Sequence, residues 1–140
     1  MNEIGIVLAA HGDMAASFKE SASLIVAELE RVEPVSLDPS IKLESMQTSL
    51  AAAADKVDQG NGVLILLELF GGTPCNASIM VLQERECQAI SGLNLPMLLE
   101  VAMQRSAVET VEELAQLTLA SGVDGVVDEI ERFQAVSNLD

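Results

Sequence analysis

His11 is the only histidine in the chain, and it directly follows an apolar run of strand length. An unperturbed imidazole is largely neutral at pH 7, so one ring nitrogen can attack phosphorus if the other is held as N–H. A carboxylate is the usual holder, and Glu68 directly follows the aliphatic run Val63 to Leu67. The pair indicates phosphoryl transfer, with His11 as nucleophile and Glu68 orienting the ring and stabilising the charge that develops on it.

A glycine-containing turn comes shortly after Glu68. It reads Gly71-Gly72-Thr73 and is followed by Pro74, and Thr-Pro is typical of a helix start with Thr as cap and Pro in the first turn. Helix N-termini present free N–H groups and a positive partial charge. We therefore expect this turn to bind the phosphoryl group through backbone N–H groups and the Thr73 hydroxyl.

Three turns of this kind follow predicted strands, and each leads into a predicted helix. Because ligands bind at the carboxyl ends of strands in open parallel sheets, we expect the three turns to converge on one oxyanion site. They span residues 9–13, 68–76 and 91–96.

Each of these residues also has a purely structural interpretation. A lone histidine is often a surface or hydrogen-bonded residue, and Glu68 could mark only the point where a strand reaches solvent. A Gly-Gly pair before Thr-Pro is by default a loop and a helix cap. Cys75 has no partner at C-x-x-C spacing and is interpreted as a small packing residue.

The elements that must position these residues alternate between apolar runs and segments of helical period. The helices are predicted at Asp13 to Glu30, from Asp38-Pro39 to about Gln59, from Thr73-Pro74, at Asn94 to Gln104, and from the capping box Thr110 to Glu113 up to about Gly122. The strands are predicted at Ile4 to Ala10, Glu33 to Leu37, Val63 to Leu67, Cys87 to Ile90 and a short fifth segment, Gly125 to Ile130.

This alternation predicts an α/β fold, a three-layer sandwich with a mostly parallel central sheet and helices on both faces. We expect one domain over residues 1–140 with a core at about 4–130, because no internal repeat, low-complexity stretch or linker interrupts the pattern. The segment after Ile130 is polar, and we expect it to be loose or to pack on a second subunit.

The charge balance is strongly acidic, with 22 Asp and Glu against 7 Lys and Arg and a formal net charge of −15. Such a surface repels nucleic-acid backbones and anionic lipid, so a protein partner should present a basic or apolar patch. Two cysteines in a chain of this length do not indicate a disulfide scaffold. With no recognisable signal peptide or membrane span, we expect a cytoplasmic protein.

Taken together, three segments resemble the enzyme IIA domain of the mannose family of the bacterial phosphoenolpyruvate-dependent sugar phosphotransferase system. The resemblance covers roughly residues 4 to 130 in order. The matching segments are Ile4 to Gly12, which ends in the phosphorylated His and a Gly; Val63 to Asn76, with its Phe-Gly-Gly-Thr-Pro loop; and Ile90 to Glu100, with its Gly-Leu-Asn-Leu-Pro-Met stretch.

The resemblance implies a phosphocarrier cycle. The histidine-containing protein HPr would phosphorylate His11, and the domain would then phosphorylate a histidine of enzyme IIB, which phosphorylates sugar entering through the membrane components. No cofactor or metal is expected. The family usually has Asp where this chain has Glu68, so the carboxylate is kept with one more methylene. The family also implies a homodimer in which the short strand Gly125 to Ile130 pairs across the interface. Because this sequence shows no fused IIB domain, we expect IIB to be a separate protein or to be absent.

Three alternatives stay open. The closest is the related phosphocarrier that feeds dihydroxyacetone kinases, although the Phe-Gly-Gly-Thr-Pro loop favours the mannose family. The second is a regulatory module that binds partners according to its phosphorylation state and feeds no transporter. The third is an aspartyl-phosphate receiver, which is disfavoured because no acidic pair precedes His11.

Overall fold

A four-stranded parallel sheet forms the centre of the computed structural model, which describes residues 3–137. The strands are β1 (Gly5–His11), β2 (Val32–Leu37), β3 (Val63–Leu67) and β4 (Cys87–Ser91). The order across the sheet is β2-β1-β3-β4, so β1 lies between β2 and β3, while β4 lies at one edge. All three strand pairings are parallel.

Helices cover both faces of this sheet, as the alternation of the sequence predicts. The helices are α1 (Met14–Val26), α2 (Leu43–Val57), α3 (Gly72–Leu82), α4 (Leu95–Gln104), α5 (Val111–Asp124) and α6 (Glu129–Ser137). Helices α1, α4 and α5 pack on one face, and α2 and α3 pack on the other.

The central strands are apolar throughout because successive side chains point to opposite faces and both faces are covered. In β1, Ile6 and Leu8 join the core cluster under α1, α4 and α5, whereas Val7 and Ala9 join the cluster under α2 and α3. All five residues of β3 are buried in the same alternating way. The α/β fold with three layers and a parallel sheet is therefore confirmed.

Two predicted helix starts differ from the structure. Asp38 does not cap α2; its carboxylate accepts from the Ser40 backbone N–H at 2.9 Å and the Ser40 hydroxyl at 2.8 Å, and the helix begins only at Leu43. Asp-Pro is equally compatible with such a turn, which explains the error. Helix α3 starts at Gly72 with Gly71 in the cap position, so Thr73 is not its cap.

Helix α1 is shorter than predicted. It ends at Val26 instead of Glu30, because Ala27 leaves the helical conformation with φ 101°. Leu29, beyond this break, is buried in the core, and the Arg31 carbonyl accepts from the Ile6 backbone N–H at 3.0 Å. The apolar residues after the break therefore belong to the connection into β2.

The predicted fifth strand at Gly125 to Ile130 is wrong for this structure. Residues 126–128 have no regular secondary structure, and α6 begins at Glu129. Asp128 favours this helix because its carboxylate accepts from the Glu131 backbone N–H at 3.0 Å, as an N-cap does. Helix α6 buries none of its residues. The polar segment after Ile130 continues this helix to Ser137, and residues 138–140 lie outside the described part of the chain.

Candidate functional site

The site lies where β1 and β3 end side by side. The chain first winds outward from β1 to β2 and then crosses to β3 on the other side of β1, and ligand sites of doubly wound sheets occur at such a change of direction. His11 is the last residue of β1, and Glu68 is the first residue after β3. The structure therefore brings the two predicted residues together.

A single carboxylate oxygen of Glu68 holds His11 in two places. Glu68 Oε1 contacts the ring Nδ1 of His11, and it also accepts from the His11 backbone N–H at 2.7 Å. The Glu68 side chain is 15% exposed and the His11 side chain is 46% exposed. The carboxylate is thus largely shielded, while the ring is open to an approaching partner.

The double contact follows from the end of the β1–β3 ladder. The Glu68 backbone N–H donates to the Ala9 carbonyl at 3.2 Å, one residue beyond the last paired position of β3. The His11 N–H is the next donor along β1, and the Glu68 side chain accepts from it where the backbone of β3 no longer does. A side chain of Glu length therefore extends the sheet by one hydrogen bond at the site itself.

This contact determines which ring nitrogen carries the proton. An ionised carboxylate only accepts hydrogen bonds, so the neutral ring of His11 carries its proton on Nδ1. The lone pair is then on Nε2, at the far side of the ring. The arrangement is that of an imidazole whose tautomer is fixed by a carboxylate.

A cavity of about 190 Å³ lies beside the ring. Of the predicted phosphoryl-binding residues, Gly71 and Gly72 line it and Thr73 does not; Thr73 is exposed in the first turn of α3. None of the described lining residues is a lysine or arginine. The lining residues are His11, Leu37, Leu67, Glu68, Leu69, Gly71, Gly72 and Pro74.

Sequence reasoning missed the apolar part of this wall. Leu37 is the last residue of β2 and pairs with His11 in the β1–β2 register. The rule that directed attention to the carboxyl ends of strands could have found it, because β2 ends at the same edge. Leu69 and Pro74 belong to the turn that was predicted, but they were not assigned a role.

The Gly-Gly turn requires glycine for its backbone conformation. Gly71 has φ +101° and Gly72 has φ +71°, in the left-handed region that favours glycine. A Cβ at Gly71 would meet nothing within 4 Å, so crowding is not the reason. No side chain caps the N-terminus of α3, which leaves the N–H groups of its first turn available to an anion.

The third predicted turn does not join the site. Ser91 and Gly92 line a separate cavity of about 520 Å³ between β4 and α5. The side chain of Asn94 is already engaged, because its Oδ1 accepts from the Met97 backbone N–H at 3.0 Å and its Nδ2 donates to the Gly122 carbonyl at 2.9 Å. The expectation that three turns converge is wrong, since β4 lies beyond β3 and away from β1.

Two exposed apolar side chains directly follow Glu68 in the turn after β3. Leu69 is 69% exposed and Phe70 is 81% exposed. Cys75, in the first turns of α3, is half-buried and is a free thiol.

Within the described part of the chain, no helix is both long and apolar enough to cross a bilayer.

Fold and site together define a doubly wound parallel α/β domain with a carboxylate-held histidine at its switch point. A family model, EIIA-man, described as PTS system fructose IIA component, matches residues 5–119. The chain belongs to this family of IIA components of the sugar phosphotransferase system.

Similar proteins agree with this assignment. The sorbose-specific EIIA component of Lacticaseibacillus casei is 32% identical over 113 residues, covering 80% of this chain and 81% of that protein. The solved mannose/sorbose specific IIA subunit from Enterococcus faecalis is 34% identical, with a TM-score of 0.79, covering 90% of this chain and 94% of that one.

Another relative is much longer than this chain. The mannose-specific EIIAB component of Escherichia coli K12 is 32% identical over 124 residues, which is 88% of this chain but 38% of that protein. The match therefore spans about two fifths of the longer protein.

Proposed function

We propose that this chain is the phosphocarrier of a sugar phosphotransferase system, in which His11 accepts a phosphoryl group from phospho-HPr and passes it to a histidine of enzyme IIB. The observation that supports this most directly is the contact of Glu68 with both the ring and the backbone of His11. It prepares one ring nitrogen as nucleophile and leaves the ring exposed to a partner.

The proposed transfer is a direct displacement at phosphorus. The Nε2 lone pair of His11 forms a new P–N bond as the P–N bond to the donor histidine breaks, and the donor nitrogen keeps that electron pair. Positive charge develops on the His11 ring, and the Glu68 carboxylate stabilises it through the Nδ1 proton. Transfer to enzyme IIB is the same displacement with His11 as the leaving group.

Gly71, Gly72 and Thr73 are the proposed phosphoryl-binding residues. The two glycines line the cavity beside His11, and all three precede or begin α3, whose first-turn N–H groups point to the helix N-terminus. Thr73 is exposed and does not line the cavity, so its hydroxyl would contact a phosphoryl group only at the cavity mouth. The backbone N–H groups therefore carry the larger part of this proposed role.

Both protein partners would dock on the same opening, since donor and acceptor must each reach Nε2. The exposed Leu69 and Phe70 supply an apolar surface there, and the acidic charge of the chain favours partners with basic rims. The membrane components of the system would be served indirectly, through enzyme IIB. The proposed compartment is the cytoplasm.

A homodimer is part of this proposal. Strand β4 pairs only with β3 in the described chain, and apolar side chains near it are exposed: Leu119 is 46%, Val123 68% and Val126 78% exposed. An edge strand with apolar neighbours is a site where a second copy can pair. The molar mass in solution, measured by light scattering on the full chain, distinguishes a dimer from a monomer.

The test follows labelled phosphate through the chain. Phosphoenolpyruvate with labelled phosphate is incubated with enzyme I, HPr and this protein, and a purified mannose-type IIB is then added. Uptake of label and its chase onto IIB are the expected results. Label that is taken up but stays on the chain would instead favour the regulatory module, and no uptake beside an active control carrier would contradict the proposal.

A further inference from the structure

A second side chain holds the turn that follows His11. The hydroxyl of Ser36, the penultimate residue of β2, donates to the carbonyl oxygen of Gly12 at 2.8 Å. Ser36 pairs with Ala10 in the β1–β2 register, so its hydroxyl reaches forward past the end of β1. The hydrogen bond therefore connects β2 to the Gly12–Asp13 peptide, the second peptide group after the proposed nucleophile.

The turn is otherwise held at its two ends, where Glu68 accepts from the His11 N–H and the Ser17 N–H donates to the Asp13 carbonyl at 3.0 Å. Gly12, between these ends, has φ +62°, and a Cβ there would meet nothing within 4 Å, so no neighbouring atom fills the space beside its Cα. Asp13, the residue before α1, makes no side-chain capping bond. Without the hydroxyl of Ser36, the Gly12 peptide could rotate with low resistance because glycine adopts many backbone conformations.

Two hydrogen bonds from opposite sides fix the backbone around His11. Glu68, after β3, binds the backbone N–H of His11, and Ser36, in β2, binds the carbonyl of the next residue. Since the C=O and N–H of a trans peptide point in opposite directions, fixing the Gly12 carbonyl toward Ser36 also directs the Asp13 N–H away from it. The His11 N–H and the Gly12–Asp13 peptide are then both held, with the His11–Gly12 peptide between them.

We propose that Ser36 is a positioning residue for phosphoryl transfer, which keeps the His11 ring in line with the incoming phosphorus by fixing the Gly12 peptide. This inference rests on the proposed function. Ser36 touches neither the ring nor the phosphoryl group. Its effect is on orientation, and a small misplacement of a reacting group can lower a rate by about 100-fold.

The experiment compares Ser36→Thr with Ser36→Val in the full-length chain. Both replacements suit a strand and have nearly the same shape, but only threonine keeps a hydroxyl. The measurements are the maximal rate of phosphoryl uptake from phospho-HPr, the KM for phospho-HPr, the Tm, and the NMR shift of the Gly12 carbonyl carbon. That shift reports the hydrogen bond independently of activity.

We expect Ser36→Val to lower the maximal rate about 10-fold or more, with KM and Tm nearly unchanged and the Gly12 carbonyl shift moved. Ser36→Thr should stay within about twofold of the wild type in rate and keep the carbonyl shift, because its hydroxyl can still donate to the Gly12 carbonyl.

Each other result overturns the inference in a distinguishable way. If the wild type takes up phosphate and Ser36→Val does so equally fast, Ser36 has no positioning role while the proposed function stands. If the maximal rate of Ser36→Thr falls as far as that of Ser36→Val, or if the rate falls only in step with the Tm, the effect is structural. If the wild type takes up no phosphate, the proposed function fails and the role of Ser36 fails with it.

Discussion

The oxygen Oε1 of Glu68 contacts two nitrogens of one residue, the ring Nδ1 and the backbone nitrogen of His11. The carboxylate is therefore anchored to the sheet even when the ring moves, because the backbone hydrogen bond does not depend on the side-chain rotamer. In the proposed cycle His11 meets two proteins in turn, and this arrangement keeps the same carboxylate beside its ring at both steps.

Replacing Glu68 with Gln should slow phosphoryl uptake by about 10-fold or more. The amide oxygen can still accept the Nδ1 proton, but a neutral acceptor stabilises positive charge on the ring less than a carboxylate does, by roughly 1–2 kcal/mol. The measurement is the single-turnover rate of uptake from phospho-HPr. Glu112→Gln, at an exposed position in the first turn of α5, is the matched control and should keep the wild-type rate. Equal rates in both variants would mean that Glu68 has no electrostatic role.

Replacing Glu68 with Asp should separate the two contacts. A side chain shorter by one methylene cannot reach both nitrogens from the same Cα position, and we expect the Glu68→Asp variant to keep the ring contact and release the backbone N–H of His11. Amide hydrogen exchange followed by NMR should then be faster at His11, while Leu8, in the middle of β1, serves as an internal reference. Unchanged exchange at His11 would show that the backbone hydrogen bond does not depend on the length of Glu.

Gly71→Ala should lower both stability and transfer. Alanine at φ +101° costs about 1–2 kcal/mol, and relief of this strain would move the loop that lines the cavity beside His11. Gly60→Ala is a close match, because Gly60 has φ +100° with nothing within 4 Å of a Cβ, and it lies in the connection before β3. Urea unfolding should show similar losses in both variants, with slowed transfer only for Gly71→Ala. Slowed transfer in both, or in neither, would remove the loop from the proposed site.

The two cysteines should differ in reactivity toward thiol reagents. Burial raises the pKa of the Cys87 thiol to about 11, so at about pH 8 it stays protonated, and only the thiolate reacts. Its reactivity should rise only as the pH approaches that pKa. Cys75 is half-buried and should react first. Ellman's reagent should therefore titrate one thiol per native chain, and Cys75→Ser should abolish this phase. Two equally fast thiols in the native protein would contradict the burial of Cys87.

Much of the fold was predictable because its strands are buried on both faces. Val63 to Leu67 is uniformly aliphatic, and this pattern predicts a central parallel strand, as β3 is. The capping box is also confirmed in large part: the Thr110 hydroxyl accepts from the Glu113 backbone N–H at 3.1 Å, and the Glu113 carboxylate accepts from the Glu109 backbone N–H at 3.2 Å. Local signals of this kind are readable because they depend on neighbours in sequence.

The errors arise where the outcome depends on distant neighbours. Val126 and Val127 favour a strand by propensity, but no strand of the described chain pairs with them, and Asp128 instead accepts from the Glu131 N–H at the start of α6. Likewise, the turn after β4 looks like the other two turns, yet strand order places it away from His11. Sequence pattern identifies which turns are candidates, whereas the order of strands decides which turns meet.

The central claim is that Nε2 of His11 carries the phosphoryl group, and the most direct test locates that group on the intact protein. The chain is phosphorylated with phosphoenolpyruvate, enzyme I and HPr, its mass is measured, and long-range ¹H–¹⁵N correlations identify the modified ring nitrogen. We predict one added phosphoryl group, on Nε2 of His11, and none in His11→Ala. A phosphoryl group on Nδ1 or on another residue, its retention in His11→Ala, or no phosphorylation beside an active control carrier would contradict the account.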